Sequence, residues 1–303
     1  MEKVFLNDKI VAADKAAVPV TDSSYLYGIG LFETMRAVSG RVFRLTDHLR
    51  RLNQSADALG ISNHYTDDQF VDAVAQTLEA NRLTEARLRL QISNGPIQLP
   101  KNSPPAKGEY PAQRGEGVLS HQSLEPSTNL LITAAQFTPY PAEYYEKGVR
   151  VTLTNYRQNA HDPFAGHKTT CYGPRLTALK DAHQKLATEA LWFTTENLLA
   201  EGCVSNVFLV KEGQLYTPPV QTPVLPGIAR RTVIELAEAA DIPCHEQPLA
   251  IDDLLAADEV FLTNVIMEVL PVTAVEAHTV ATGTPGTLTK QFIEKFKKRL
   301  SAS

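Results

Sequence analysis

The sequence predicts an α+β protein of two domains, and three observations carry that expectation. Strand-like and helix-like periodicities mix in both halves, without a regular strand–helix–strand alternation. A chain of 303 residues exceeds one ordinary domain. Regular patterning breaks over 95–128, and a Pro-containing stretch from Phe137 to Ala142 then separates two regular halves. The expected division is a small N-terminal α/β domain over 1–136, a linker over 137–147 and a larger domain over 148–303.

Each element follows from local pattern. Val4-Phe5-Leu6, a turn at Asn7-Asp8 and Ile10-Val11 read as a hairpin. Gly28-Ile29-Gly30 leads into an apolar run over Leu31–Arg36, and Ser39-Gly40 separates it from Arg41–Arg44, a second strand pair. Leu45, Leu49, Leu52, Ala56 and Leu59 recur at steps of three and four, which is helical, and Gly60 stops that helix. A helix over 67–80 and a strand over 87–92 follow. Segment 95–128 holds six prolines and little periodic apolar content, so it reads as a long loop. A strand resumes over 129–133. In the second half, strands are expected over 149–153, 191–194, 207–210, 215–217 and 260–263. Helices are expected over 175–186, 228–240 and 289–300.

Composition narrows the function classes. A net charge of -5 with a pI near 5.9 gives no basic face for nucleic acid or an anionic membrane. The run Lys295, Lys297, Lys298 and Arg299 reads as a solvated helix face. No long apolar segment opens the chain and none reaches a membrane span, so a cytoplasmic location is expected. Cys171, Cys203 and Cys244 are odd in number and far apart, which draws neither a disulfide framework nor a zinc site. His161 and His167 lack ligand spacing on one helix face, and no metal is expected. The glycine-rich nucleotide loops, HExxH and GxSxG are absent.

Three segments make chemical sense together. Gly166-His167-Lys168-Thr169-Thr170 puts a lysine at the end of an irregular stretch just before a helix, and burial would lower its pKa toward Schiff-base chemistry. Glu201-Gly202 leads into an apolar strand, and a carboxylate facing a pyridine nitrogen would keep that nitrogen protonated. Leu225-Pro226-Gly227-Ile228-Ala229 opens an amphipathic helix whose first N–H groups could cradle a phosphate.

Lysine, carboxylate and cradle in that order resemble the class IV (fold type IV) pyridoxal-5′-phosphate (PLP) enzymes, which include branched-chain and D-amino acid aminotransferases and aminodeoxychorismate lyases. Further segments carry the same resemblance: Tyr27-Gly-Ile-Gly-Leu-Phe32-Glu33-Thr34-Met-Arg36, and His48-Leu49-Arg50-Arg51-Leu52 for an H-x-x-R-L helix. Ala257 to Asn264, ending in Leu270-Pro271-Val272, matches the family's last strand. The likeness spans nearly the whole chain and implies two domains with a cofactor cleft between them, commonly in a homodimer.

The resemblance implies that Lys168 carries PLP and shuttles a proton. It pairs Glu201 with the ring nitrogen and sets Arg51 on the phosphate with the backbone N–H groups of Ile228 and Ala229. Val265 stands where the family has a hydroxyl contact, which leaves a backbone contact or one from Thr263 or Asn264. Tyr27 and Phe32 fall on the substrate pocket. The arginine trap of D-amino acid enzymes would fall near Asn94, so Arg87 or Arg89 is the candidate carboxylate grip. The implied activity is ping-pong transfer of an amino group between an amino acid and a 2-oxo acid. The alternative is a lyase releasing pyruvate and 4-aminobenzoate. Glu201-Gly-x-x-Ser-Asn and Lys168-Thr-Thr-Cys171 lean to the aminotransferases, Asn264-Val-Ile-Met267 to the lyases. Thr34, where branched-chain enzymes usually have glycine, leaves the substrate open.

Overall fold

The computed structural model describes residues 1–96 and 128–302, so all but the ends of segment 95–128 lies outside the described residues. The N-terminal half holds strands β1 (Lys3–Leu6), β2 (Lys9–Ala12), β3 (Gly30–Val38), β4 (Arg41–Val42), β5 (Ala86–Ser93) and β6 (Asn129–Gln136). Helices α1 (Ser23–Tyr27), α2 (Leu45–Leu59) and α3 (Asp67–Asn81) belong to the same half. The six strands form one antiparallel sheet in the order β2-β1-β6-β5-β3-β4.

Alternation along β5 divides that sheet's faces. Leu88, Leu90 and Ile92 are fully buried against α2 and α3, whereas Arg87, Arg89 and Gln91 project from the opposite face. Each buried leucine or isoleucine contributes about 1.5–3 kcal/mol. Both helices stop where the periodicity ends; Gly60 closes α2 in the left-handed conformation at φ 63°.

The C-terminal half begins with α4 (Ala142–Lys147), which lies within the expected linker. Its strands are β7 (Val149–Gln158), β8 (Glu189–Thr194), β9 (Leu199–Gly202), β10 (Asn206–Lys211), β11 (Gln214–Thr217), β12 (Cys244–Glu246), β13 (Glu259–Asn264), β14 (Glu268–Val275) and β15 (His278–Thr279). Its helices are α5 (Gly173–Gln184), α6 (Ile228–Glu238), α7 (Ile251–Leu255) and α8 (Thr287–Ser301). The mixed sheet runs β12-β11-β10-β13-β14-β7-β8-β9, with β15 on β14. Phe208, Phe261, Phe292 and Phe296 pack between its one face and α6 and α8, while Leu209, Leu262 and Leu254 fill the other. Two covered faces explain why β10 and β13 read as continuous apolar runs.

Two elements differ from the sequence reading. Residues 257–272 form a hairpin, β13 and β14, rather than one last strand, and β15 follows it. The Asn264 Oδ1 accepts from the N–H groups of Ile266 and Met267, and Glu268 sits at φ 60°, so the chain turns back. Glu201 lies on a short strand of its own, β9, which is absent from the strands expected from sequence. The basic run of α8 leaves Lys297, Lys298 and Arg299 exposed, as a solvated face should. No helix among the described residues is long and apolar enough to cross a membrane.

Candidate active site

The two sheets meet at the segment that carries Lys168. The Phe32 N–H donates to the Lys168 carbonyl at 2.9 Å, and the Thr170 N–H donates to the Gly30 carbonyl at 2.9 Å. Residues 168–170 are thereby stitched to the start of β3 before α5 begins. This seam opens on a cavity of about 1000 Å³. Phe32, Thr34, Arg87 and Arg89 come from the free face of the first sheet, and His48 and Arg51 from α2. Glu201 to Asn206, Gly227 to Ala229 and Thr263 to Ile266 come from the second half. Five of the lining side chains, Arg51, Arg87, Arg89, Lys168 and Arg175, are cationic types, against the single carboxylate of Glu201. The cavity favours an anionic ligand.

Lys168 has the environment that Schiff-base chemistry needs. Its Nζ stands 4.5 Å from the centre of the Phe32 ring and 5.8 Å from that of Tyr172. Burial, together with the Arg51 charge, lowers its pKa from 10.5 to about 8, against the opposing pull of Glu33 and Glu201. A free amine is therefore accessible near neutral pH.

Beside it lies a buried charge network that ties α2 to β3. Arg51 grips Glu33 with two bonds, Nε at 2.8 Å and Nη2 at 2.5 Å, and donates through Nη1 to the Pro226 carbonyl at 3.0 Å. His48 Nδ1 meets Glu33 Oε2 at 2.7 Å. Burial pushes the Glu33 carboxyl up, but Arg51 and His48 overcome it and hold the group at about 2. Burial lowers the pKa of His48. A carboxylate partner requires Nδ1–H, which leaves Nε2 as a buried acceptor with no hydrogen bond. Arg51 is thus aimed by Glu33 and fastened to the loop that opens α6.

That helix opening is the second anion-binding feature. α6 begins at Gly227 with no side-chain cap, so the N–H groups of Ile228 and Ala229 face the cavity end without a capping partner. Gly227 is required by space: a Cβ there would lie 2.0 Å from Asn206 Oδ1. Asn206 Nδ2 in turn donates to the Leu225 carbonyl at 2.9 Å and to Glu201 Oε2 at 3.3 Å. Glu201 is buried, with Oε2 also accepting from the Leu225 N–H at 2.9 Å and Oε1 paired to Arg175 Nη2 at 2.5 Å.

Of the residues expected from sequence, the structure gathers Lys168, Arg51, Glu201, Ile228, Ala229, Thr263, Asn264, Val265, Phe32 and Arg89 around this one cavity. Thr263 Oγ1 spends its proton on the Glu268 carbonyl, and Asn264 braces its own turn through Oδ1 while Nδ2 donates one proton to the Val204 carbonyl. The Arg89 guanidinium stacks 3.7 Å over the Phe32 ring, donates to Gln91 and has no carboxylate partner among the described residues. Tyr27 is not brought in: it ends α1, is 55 % exposed and does not border the cavity of this chain. Sequence reasoning missed Tyr172 and Arg175. Both lie four and seven residues after Lys168, a helical spacing that turns one face of early α5 back toward the lysine. Among the described residues no cluster of His, Cys, Asp and Glu could hold a metal ion.

Comparison with known proteins agrees with this geometry. The model of the class IV amino-transferases matches residues 30–275. A Methanocaldococcus jannaschii protein, provisionally named a branched-chain-amino-acid aminotransferase, is 33% identical over 97% of this chain and 95% of its own. The D-alanine aminotransferase of Staphylococcus epidermidis is 28% identical over 100% of this chain and 99% of its own. The Escherichia coli branched-chain amino acid aminotransferase superposes with a TM-score of 0.87 at 27% identity, covering 99% of this chain and 95% of that one. The chain belongs to the class IV aminotransferase family.

Proposed function

We propose that this protein is a PLP-dependent aminotransferase moving an amino group between an amino acid and a 2-oxo acid, with Lys168 as the residue that carries the cofactor. The observation that carries the reading is the half-buried Lys168 amine, lowered to about 8, in one cavity with an uncapped helix start and a buried carboxylate. The residues fit the group. Arg51 and the N–H groups of Ile228, Ala229 and Val265 would hold the phosphate, and Gly227 leaves the approach open. Glu201 would pair with the ring nitrogen. PLP, when bound, supplies an electron sink for the carbon that loses its proton.

Lys168 does the rest of the acid–base work. Its amine form would accept the proton from the substrate carbon at Nζ and redeliver it, and Phe32 and Tyr172 shield it from bulk water. Arg89, unpaired with any carboxylate among the described residues, would receive a substrate carboxylate, with Arg87 behind it on the same strand face. In the same proposal the chain divides at 137–147, since each sheet has its own core. A homodimer is proposed from the exposed apolar run of Val18, Val20, Tyr25, Leu26 and Tyr27. A cytoplasmic location is proposed from three free thiols.

The test is a half-reaction: L- and D-amino acids are added singly to the PLP-loaded protein, and the cofactor spectrum is followed. Bleaching with formation of the matching 2-oxo acid is expected from at least one amino acid. Pyruvate release from aminodeoxychorismate, with no such half-reaction, would replace this reading by the lyase.

A further inference from the structure

The Glu201 carboxylate does not stand alone. Early α5 sends Arg175 back across the end of β9. There its Nη2 pairs with Glu201 Oε1 at 2.5 Å, and its Nη1 donates to the Gly202 carbonyl at 2.9 Å. A longer contact, 3.4 Å, reaches Gln158 Oε1, and the guanidinium carbon lies 5.4 Å from the centre of the Trp192 ring. The guanidinium is thus held on several sides, and its side chain is only 22% exposed. Glu201 Oε2 is occupied by Asn206 Nδ2 and the Leu225 N–H. A carboxylate offers about four acceptor positions. Three are filled here, which leaves one for a ligand.

We propose that Arg175 is a positioning residue that clamps Glu201 and places a fixed positive charge beside its contact to the cofactor's ring nitrogen. It thereby sets how firmly that nitrogen keeps its proton. The inference rests on the reading that Glu201 faces this nitrogen. The guanidinium charge 2.5 Å from the carboxylate offsets part of the attraction that the carboxylate exerts on a protonated ring nitrogen. The ring nitrogen opposite it therefore titrates lower than it would opposite an unpaired glutamate. Since protonation of this nitrogen governs the ring's capacity as an electron sink, Arg175 tempers that capacity. The same clamp fixes the rotamer of Glu201, because two N–H groups of one planar fork hold both its carboxylate and the adjacent carbonyl of Gly202.

The test reconstitutes the protein with PLP carrying 15N in the ring and follows the nitrogen chemical shift with pH. Wild type is compared with Arg175→Met, Arg175→Gln, Arg175→Lys and Glu201→Gln. Cofactor dissociation constants are measured in parallel. Removing the positive charge is expected to raise the ring-nitrogen pKa by about one to two pH units. Arg175→Lys, which keeps the charge, should stay near wild type. Arg175→Gln retains a donor for the Gly202 carbonyl, so it must show the same rise even if Arg175→Met does not fold. A purely structural clamp would weaken cofactor binding in both uncharged variants and leave the titration unmoved; that result overturns the proposal. Glu201→Gln should strip the nitrogen of its proton. If it changes nothing, the placement of Glu201 against the ring is wrong, a failure separate from that of Arg175.

Discussion

Replacing Glu33 by glutamine removes one charge from the interior and leaves its partner behind. The side chain of Glu33 is 1% exposed and that of Arg51 9%, so the guanidinium in Glu33→Gln keeps its desolvation cost without its counter-charge. Breaking such a pair from one side costs about 3–5 kcal/mol. The titration of Glu33 gives an independent magnitude. A carboxyl held at about 2 instead of 4.5 corresponds to about 3 kcal/mol of native-state stabilisation. The sign follows from a lowered folded-state value: the stabilisation is full above 4.5 and is lost as pH falls through about 2. Urea unfolding of the cofactor-free protein at neutral pH should therefore place Glu33→Gln about 3 kcal/mol below wild type. The gap should narrow as pH drops from 4.5 toward 2. A loss under about 1 kcal/mol, or a gap unaffected by acid, would refute the argument that Glu33 is a buried anion aiming Arg51.

Two further substitutions probe the cavity wall. Gly227→Ala is compatible with the backbone at φ -66°, yet its methyl would lie 2.0 Å from Asn206 Oδ1 and force that side chain off Glu201. A stability loss of about 1–3 kcal/mol with weaker PLP retention is expected, and unchanged retention in a dialysis assay would contradict the cradle. Arg89→Gln should lower kcat/KM by roughly 10–100-fold through loss of a charge-assisted contact to substrate carboxylate. An unaltered kcat/KM would assign carboxylate capture elsewhere.

The parts of this molecule that were legible from sequence are those set by periodicity and local chemistry. α2 follows from its 45–49–52–56–59 pattern and Gly60, and β10 and β13 from their apolar runs. The cofactor residues were legible as a sequence order, because each motif carries its own local requirement: a helix start, a strand end, a lysine before α5. The rest is tertiary. Nothing near Glu33 announces that it is buried, since its role depends on His48 and Arg51 reaching it from the next helix. The β13–β14 hairpin was misread because Pro271 and its neighbours continue an apolar run, while the turn is made by an Asn264 side-chain bond that no periodicity encodes. Arg175 was overlooked for a similar reason: its partner is 26 residues away, on strand β9. Tyr27 was assigned by motif, yet in the single chain it faces outward.

The central claim is that Lys168 holds the cofactor. The most direct measurement is borohydride reduction of the PLP-loaded protein, followed by proteolysis and mass mapping of the phosphopyridoxyl group. The label is expected on the peptide containing Lys168, and Lys168→Ala should take up no label and stay colourless. Label on another lysine, or a Lys168→Ala protein that still turns over amino acid, would contradict the account.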